Sequence, residues 1–189
     1  MKIDEMKNLA ERTVRWARDA GAGTAEVTLS DTREIEVSAR TQSVETLTDS
    51  SSSRITASLS VDHRKAKVTT SELEPESIRT LLSEAVELCR MMNEDEFFGL
   101  PETDELGVPG EDLGIFDPEV AGVRTDRMIE SALELERSAY ALDGRIITDR
   151  SAVSNGVYRH AFSNSLGFCE AYEKTICSIG ISCAVEEES

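Results

Sequence analysis

Hydrophobic positions along the chain recur with two alternating periods, and the switches between them divide it into segments. Over 3–20, Ile3, Met6, Leu9, Ala10, Val14 and Ala17 recur at i, i+3 and i+4. That spacing predicts an amphipathic helix, stopped by Gly21 and Gly23. Trp16 falls beside the stripe, at the margin of the core, and Glu11 with Arg15 is a predicted surface pair. From 24 to 70 the period becomes two, with apolar runs at 27–29, 35–39, 44–47, 55–61 and 65–70. Clean alternation means one packed and one wet face, the mark of an antiparallel sheet. Polar joints at 30–32, 41–42, 49–53 and 62–64 divide this stretch into five predicted strands, with the serine run 50–53 read as a loop.

The helical period returns over 75–92 through Ile78, Leu81, Leu82, Ala85, Val86, Leu88 and Cys89. Pro75 suits the first helical position, Ser71 and Glu74 form a weaker capping pair, and Met91 and Met92 read as core fill. Residues 93–124 are irregular, with Pro101, Pro109 and Pro118 breaking any period. Phe97, Phe98, Leu100, Leu113, Ile115 and Phe116 are interleaved there, so the segment is expected to be a packed crossover rather than a lid. A third helix is predicted over 125–142, with Thr125 as N-cap and a broad stripe from Met128 to Leu142.

The last third, 155–188, reads as a long β-hairpin. Two extended runs flank Ser163, Asn164, Ser165, Leu166 and Gly167, which is turn chemistry. Odd positions from Cys177 through Ile179, Ile181 and Cys183 to Val185 share one strand face, expected to be buried. The expected class is α+β: a mostly antiparallel sheet with three main helices and a long C-terminal hairpin. Residues 1–189 form one expected domain, with parts at 1–93, 94–124 and 125–189.

Charge changes the picture by exclusion. The chain carries 37 acidic and 20 basic residues, a net charge of −17. Nucleic-acid binding through phosphates needs a basic footprint, so none is expected. No apolar run approaches the roughly 18 residues of a membrane span, and the first residues lack an apolar signal core. The chain is therefore expected to be cytoplasmic and away from membranes, with reduced cysteines.

Candidate chemistry is sparse. Cys89, Cys169, Cys177 and Cys183 have no zinc-site spacing and read as small buried hydrophobes. Only His63 and His160 are present, and no HExxH, GxSxG or P-loop motif occurs. His160 and Cys169 could meet across the hairpin as a nucleophilic pair, but hairpin neighbours are ordinarily packing pairs. Asp143, Asp149 and Glu170 are available acids that nothing in the sequence brings together.

Several stretches nevertheless resemble one family when their order and spacing are taken together. GAGTAEVTLSDTREIEVSARTQSVETL (21–47) is followed by HRKAKVTTSELEPESIRTLLSEAVELCR (63–90), FGLPE (98–102) and EDLGIFDPEV (111–120). The terminal SNSLGF (163–168) and EAYEKTICSIG (170–180) complete the set. Together they resemble the TldD/PmbA family of metallopeptidase-related proteins, nearer its PmbA, or TldE, branch. The family often has glycine before its fourth strand and after the basic turn, where this chain has Ser52 or Ser53 and Ala66. Asn164, Ser165 and Gly167 match the family's turn and carry no assigned chemistry.

The resemblance implies the N-terminal domain of a PmbA/TldE-like member. TldD-type relatives hold zinc through HExxxH in a C-terminal domain, and no such motif is present here. It further implies no catalytic residue, metal or cofactor in this chain. The role implied is peptide access or subunit assembly, in a family engaged in peptide maturation and proteolysis. Implied partners are a homodimer mate or a TldD-like subunit, and a peptide or unfolded protein. The family's older label, modulator of DNA gyrase, does not suit direct DNA contact at a charge of −17. Whether the parent is the catalytic or the silent subunit stays open. The alternative is a free-standing acidic protein-interaction module.

Overall fold

In the computed structural model, which describes residues 1–107 and 113–185, helices and strands follow one another in the α+β order expected. Helix α1 is Ile3–Asp19, and strands β1, β2 and β3 are Thr24–Arg40, Ser43–Val61 and Arg64–Thr70. Helix α2, Pro75–Met91, is followed by a 3-10 turn at Thr103–Glu105, the one-turn helix α3 at Pro118–Ala121, and α4 at Thr125–Leu142. Strands β4, Ile146–Asn164, and β5, Cys169–Val185, form the expected long hairpin. Hydrogen bonds order the sheet β3-β2-β1-β4-β5. β2 and β3 are antiparallel, from Ile55 opposite Thr70 to Val61 opposite Arg64. β1 and β4 are antiparallel too, since Ala25 meets Ser165 while Ser30 meets His160.

The five strands expected over 24–70 are three. The joints at 41–42 and 62–63 are true turns: Thr41, Gln42, Asp62 and His63 all have positive φ. Those at 30–32 and 49–53, including the serine run, lie inside β1 and β2. Polar residues do not end a strand where the backbone stays extended; their side chains bond sideways instead. The Asp31 carboxylate accepts from Ser53 Oγ at 2.6 Å and from an Arg159 guanidinium nitrogen at 3.4 Å.

Chain contacts define two compact units. Unit 1 comprises Met1–Asp31, Ser52–Leu113 and Arg159–Glu173. Its core joins Met6, Val14 and Trp16 of α1 with Leu29, Ile55 and Leu59 of the sheet and Ile78, Leu82 and Val86 of α2. Trp16 is buried, and the Arg12 and Arg79 guanidinium groups lie 4.8 and 4.6 Å from its ring. Pro75 does open α2, though Glu74 rather than Ser71 is the capping position. Met91 and Met92 are exposed rather than core fill, because the helix ends beyond the sheet-facing stripe. The Phe98 ring lies 4.8 Å from Lys65 Nζ, but Phe97 is exposed and anchors nothing.

Unit 2 comprises Thr32–Ser51, Gly114–Tyr158 and Lys174–Ser189, described here to Val185. Its smaller core sets Met128 and Ala132 of α4 against Val37, Ala39 and Val153. Thr125 is the first helical residue and Arg124 the cap position. Of the expected crossover anchors, Phe97, Leu113 and Ile115 are exposed while Phe98, Leu100 and Phe116 are half-buried, so the segment packs only in part, and Leu142 leaves the end of the α4 stripe exposed. Pro109, Gly110 and the acidic tail 186–188 lie outside the described residues.

β5 departs most from expectation. Cys177, Ile179, Ile181, Cys183 and Val185 are exposed. The apolar stripe of α4 reaches β1 and β4 and stops short of this edge strand. Periodicity marks a face able to be buried, and only a neighbouring element buries it.

Candidate functional site

The 164–167 turn is built from its own side chains. Asn164 Oδ1 accepts from the Leu166 N–H at 3.0 Å and the Phe168 N–H at 3.2 Å. The Asn164 N–H donates to Phe168 O, and the Gly167 N–H to Asn164 O. Gly167 has φ +91, a conformation that favours glycine. Ser165 fastens the turn to β1, donating its N–H to Ala25 O at 2.9 Å and accepting the Ala25 N–H on Oγ at 3.1 Å. Asn164, Ser165 and Gly167 thus converge on one structure, and all three line a cleft of about 480 Å³ against α1.

Across that cleft α1 presents Glu11, Arg15, Arg18 and Asp19. Arg18 is engaged, donating to the carbonyls of Ala22 and Gly23. The expected Glu11–Arg15 ion pair is not among the contacts of the described residues. Cys169 opens β5 at the cleft, half-buried, with Sγ 3.8 Å from Lys7 O. Burial pushes its thiol pKa up, and the Glu11 carboxylate adds to the rise. A nucleophilic thiol needs the opposite environment.

His160 and Cys169 do not meet. Stacking of His160 on Tyr172, with ring centroids 5.2 Å apart, and the bond from Arg159 to Glu173 fix the hairpin register. That register sets Ser163 opposite Cys169 and puts His160 on the other sheet face, with its Nδ1 3.1 Å from Ser30 Oγ. The three acids are engaged or placed separately: Asp143 pairs with Arg145, Glu170 with Lys7, and Asp149 is exposed on β4.

One polar constellation escaped the sequence reading. Glu136 of α4 is fully buried. Its carboxylate accepts the N–H of Thr41 at 2.8 Å, the N–H of Gln42 at 2.6 Å and Gln42 Nε2 at 2.9 Å. The hydroxyls of Tyr140 and Thr148 also donate to it. Burial is the largest single influence on its pKa and pushes it up. The bonds from Thr148, the Gln42 and Thr41 N–H groups and Tyr140 together outweigh burial and hold the carboxyl below its usual range. The available signal was a lone acid at i+4 from Ala132 and i+8 from Met128, on the buried stripe.

A family model described as the PmbA/TldA metallopeptidase central domain matches residues 118–189. The chain is 28% identical over 192 residues to a metalloprotease PmbA of Escherichia coli O157:H7, covering 100% of this chain and 42% of that protein. A metalloprotease PmbA homolog of Haemophilus influenzae is 28% identical over 184 residues, covering 96% and 39%. A solved structure of a putative modulator of DNA gyrase from Bacteroides thetaiotaomicron superposes with a TM-score of 0.91 at 25% identity, covering 100% of this chain and 43% of that one. TldE from Thermococcus kodakarensis shares the fold, with a TM-score of 0.82 at 17% identity, covering 95% and 40%. The chain spans about two fifths of the length of the curated relatives it matches.

Proposed function

We propose that the chain is part of a TldD/PmbA-family protein and that it receives extended peptide for a metallopeptidase without itself cleaving it. The observation that carries this reading is the outer edge of β5. The chain's own Ile115–Asp117 segment already lies along that edge. The Thr175 N–H donates to Ile115 O at 3.0 Å, and the Asp117 N–H donates to Thr175 Oγ1 at 3.0 Å. Beyond Thr175, β5 runs on to Val185 as an edge strand, with Ile179, Ile181 and Val185 exposed. An edge strand pairs readily with an extended peptide: main-chain bonds give affinity, and alternate side chains give preference.

Zinc, where the family uses it, polarises the scissile carbonyl and activates a water. Among the described residues no three His, Cys, Asp or Glu side chains are grouped to hold a metal ion, so these residues do not fit it. On this reading the metal belongs to another part of the assembly, either a TldD-like subunit or a second copy of the parent. A cytoplasmic location accompanies the reading. No helix among the described residues is long and apolar enough to cross a membrane.

The test is hydrogen exchange on the 189-residue chain with an unstructured peptide of alternating valine and threonine. Added protection confined to 177–185 supports the proposal. Unchanged exchange there, or tight stoichiometric zinc binding in a calorimetric titration, overturns it.

A further inference from the structure

Residues 177–183 read Cys-Ser-Ile-Gly-Ile-Ser-Cys, the same in either direction about Gly180. All of them are exposed, on the part of β5 that runs past the Ile115–Asp117 segment. Antiparallel pairing reverses one strand against the other. A second copy of this stretch laid on the first about Gly180 therefore sets like against like. Cys177 faces Cys183 of the second copy, Ser178 faces Ser182, and Ile179 faces Ile181.

Three further features agree with that register. The Thr175 N–H turns outward, to Ile115 O. Bonding directions alternate along a strand, so the N–H and C=O groups of Cys177, Ile179, Ile181 and Cys183 also point to the free edge. Gly180 has no reason to be glycine within its own chain: a Cβ there meets nothing within 4 Å, and its φ is not positive. Glycine inside a strand weakens it and often marks the close approach of another backbone. On a two-fold axis Gly180 faces itself in a non-hydrogen-bonded pair, where Cα atoms come within about 4.5 Å. Finally, copies of a chain with net charge −17 repel one another, yet residues 176–185 carry no charge and no proline. Those are the devices that ordinarily blunt an edge strand. We infer that β5 pairs with β5 of a second copy across a two-fold axis at Gly180. This pairing rests on the edge-strand reading of β5 and names the occupant: the extended segment taken is the same strand of another copy.

The test is sedimentation of the 189-residue chain over a range of concentrations, with cysteine cross-linking to read the register. A dimer that strengthens with added salt is expected, because salt screens the repulsion between acidic copies. Gly180→Lys sets two cations against each other at the axis and should weaken the dimer roughly tenfold or more, with the thermal midpoint showing that the chain still folds. Paired Cα atoms lie about 5.5 Å apart at hydrogen-bonded positions, within disulfide range. Within one strand, six residues separate Cys177 from Cys183 by about 20 Å, so neither can bridge to the other in the same copy. Diamide, which takes up the two electrons and two protons of the thiols, should cross-link the parent in a Cys169→Ala background. Cys177→Ser alone and Cys183→Ser alone should not cross-link, whereas a mixture of the two should. A chain monomeric at every concentration, a dimer indifferent to Gly180→Lys or weakened by salt, or cross-linking by either single variant overturns the pairing. A monomer whose 177–185 edge still gains protection from the valine–threonine peptide would end this inference and leave the edge-strand reading standing. A dimer in this register that excess peptide does not displace would do the reverse.

Discussion

The Glu136 carboxylate accepts the main-chain N–H of Gln42 at 2.6 Å, across 94 positions of sequence. It accepts the neighbouring Thr41 N–H as well. Both residues hold positive φ, 52 and 59, in the two-residue turn between β1 and β2. Such turns ordinarily use Asn and Gly, because side chains strain the left-handed region. A threonine and a glutamine stand there instead, and a buried carboxylate from α4 holds their N–H groups. Glu136 therefore ties the helix to the hairpin tip and is the charged centre of the unit 2 core.

Replacing Glu136 with Gln should destabilise the chain by about 2–3 kcal/mol, because an amide turns one donor toward N–H groups that need an acceptor. Urea unfolding followed by circular dichroism measures this. A change below the error of the midpoint would show that the bonds contribute little.

The same contact sets an acid dependence. The folded pKa of Glu136 is depressed, so the unfolded chain takes up its proton first as pH falls. The stabilisation is complete above the unfolded value of about 4.3 and is lost as pH drops through the lower folded value. The slope of urea midpoint against pH in that window should be shallower in Glu136→Gln than in the parent.

Thr41→Asn should raise stability by up to about 1 kcal/mol, since asparagine tolerates the left-handed region better than a β-branched residue. The Thr41 N–H bond to Glu136 is untouched by this change. A thermal midpoint lower than the parent's would contradict it.

Gly156→Ala should cost about 1–3 kcal/mol, the range for an overpacked site. A Cβ there would lie 2.6 Å from the Tyr158 ring, which donates its hydroxyl to Glu34 and lies 5.4 Å from Lys174 Nζ. In a Tyr158→Ser background the same change should be nearly neutral. A double-mutant cycle without coupling would show that the ring is not the obstacle.

Thiol labelling should rank the cysteines by exposure. Cys177 and Cys183 should react with a disulfide reagent at once, Cys169 slowly, and Cys89 only on unfolding, because it is buried with Sγ 3.4 Å from Leu59 O. Fast labelling of Cys89 in the folded chain would contradict the packing of α2 on the sheet.

Local pattern determined much of this protein. Periods of 3.6 and 2 located the three long helices and the alternating strands. Turn residues located the Asn164–Gly167 reversal, and the ordered stretches carried a family resemblance. These are legible because they depend on neighbours within a few positions. Tertiary structure decided the rest. Whether Asp31 ends a strand depends on partners in β2 and β4 that keep the backbone extended. Whether Ile179 and Ile181 are buried depends on how far α4 reaches across the sheet. The one-residue register of the turn set His160 and Cys169 on opposite faces. Glu136 reads as one more surface acid until the hairpin tip arrives from 94 positions away, and long-range contact alone made its charge structural.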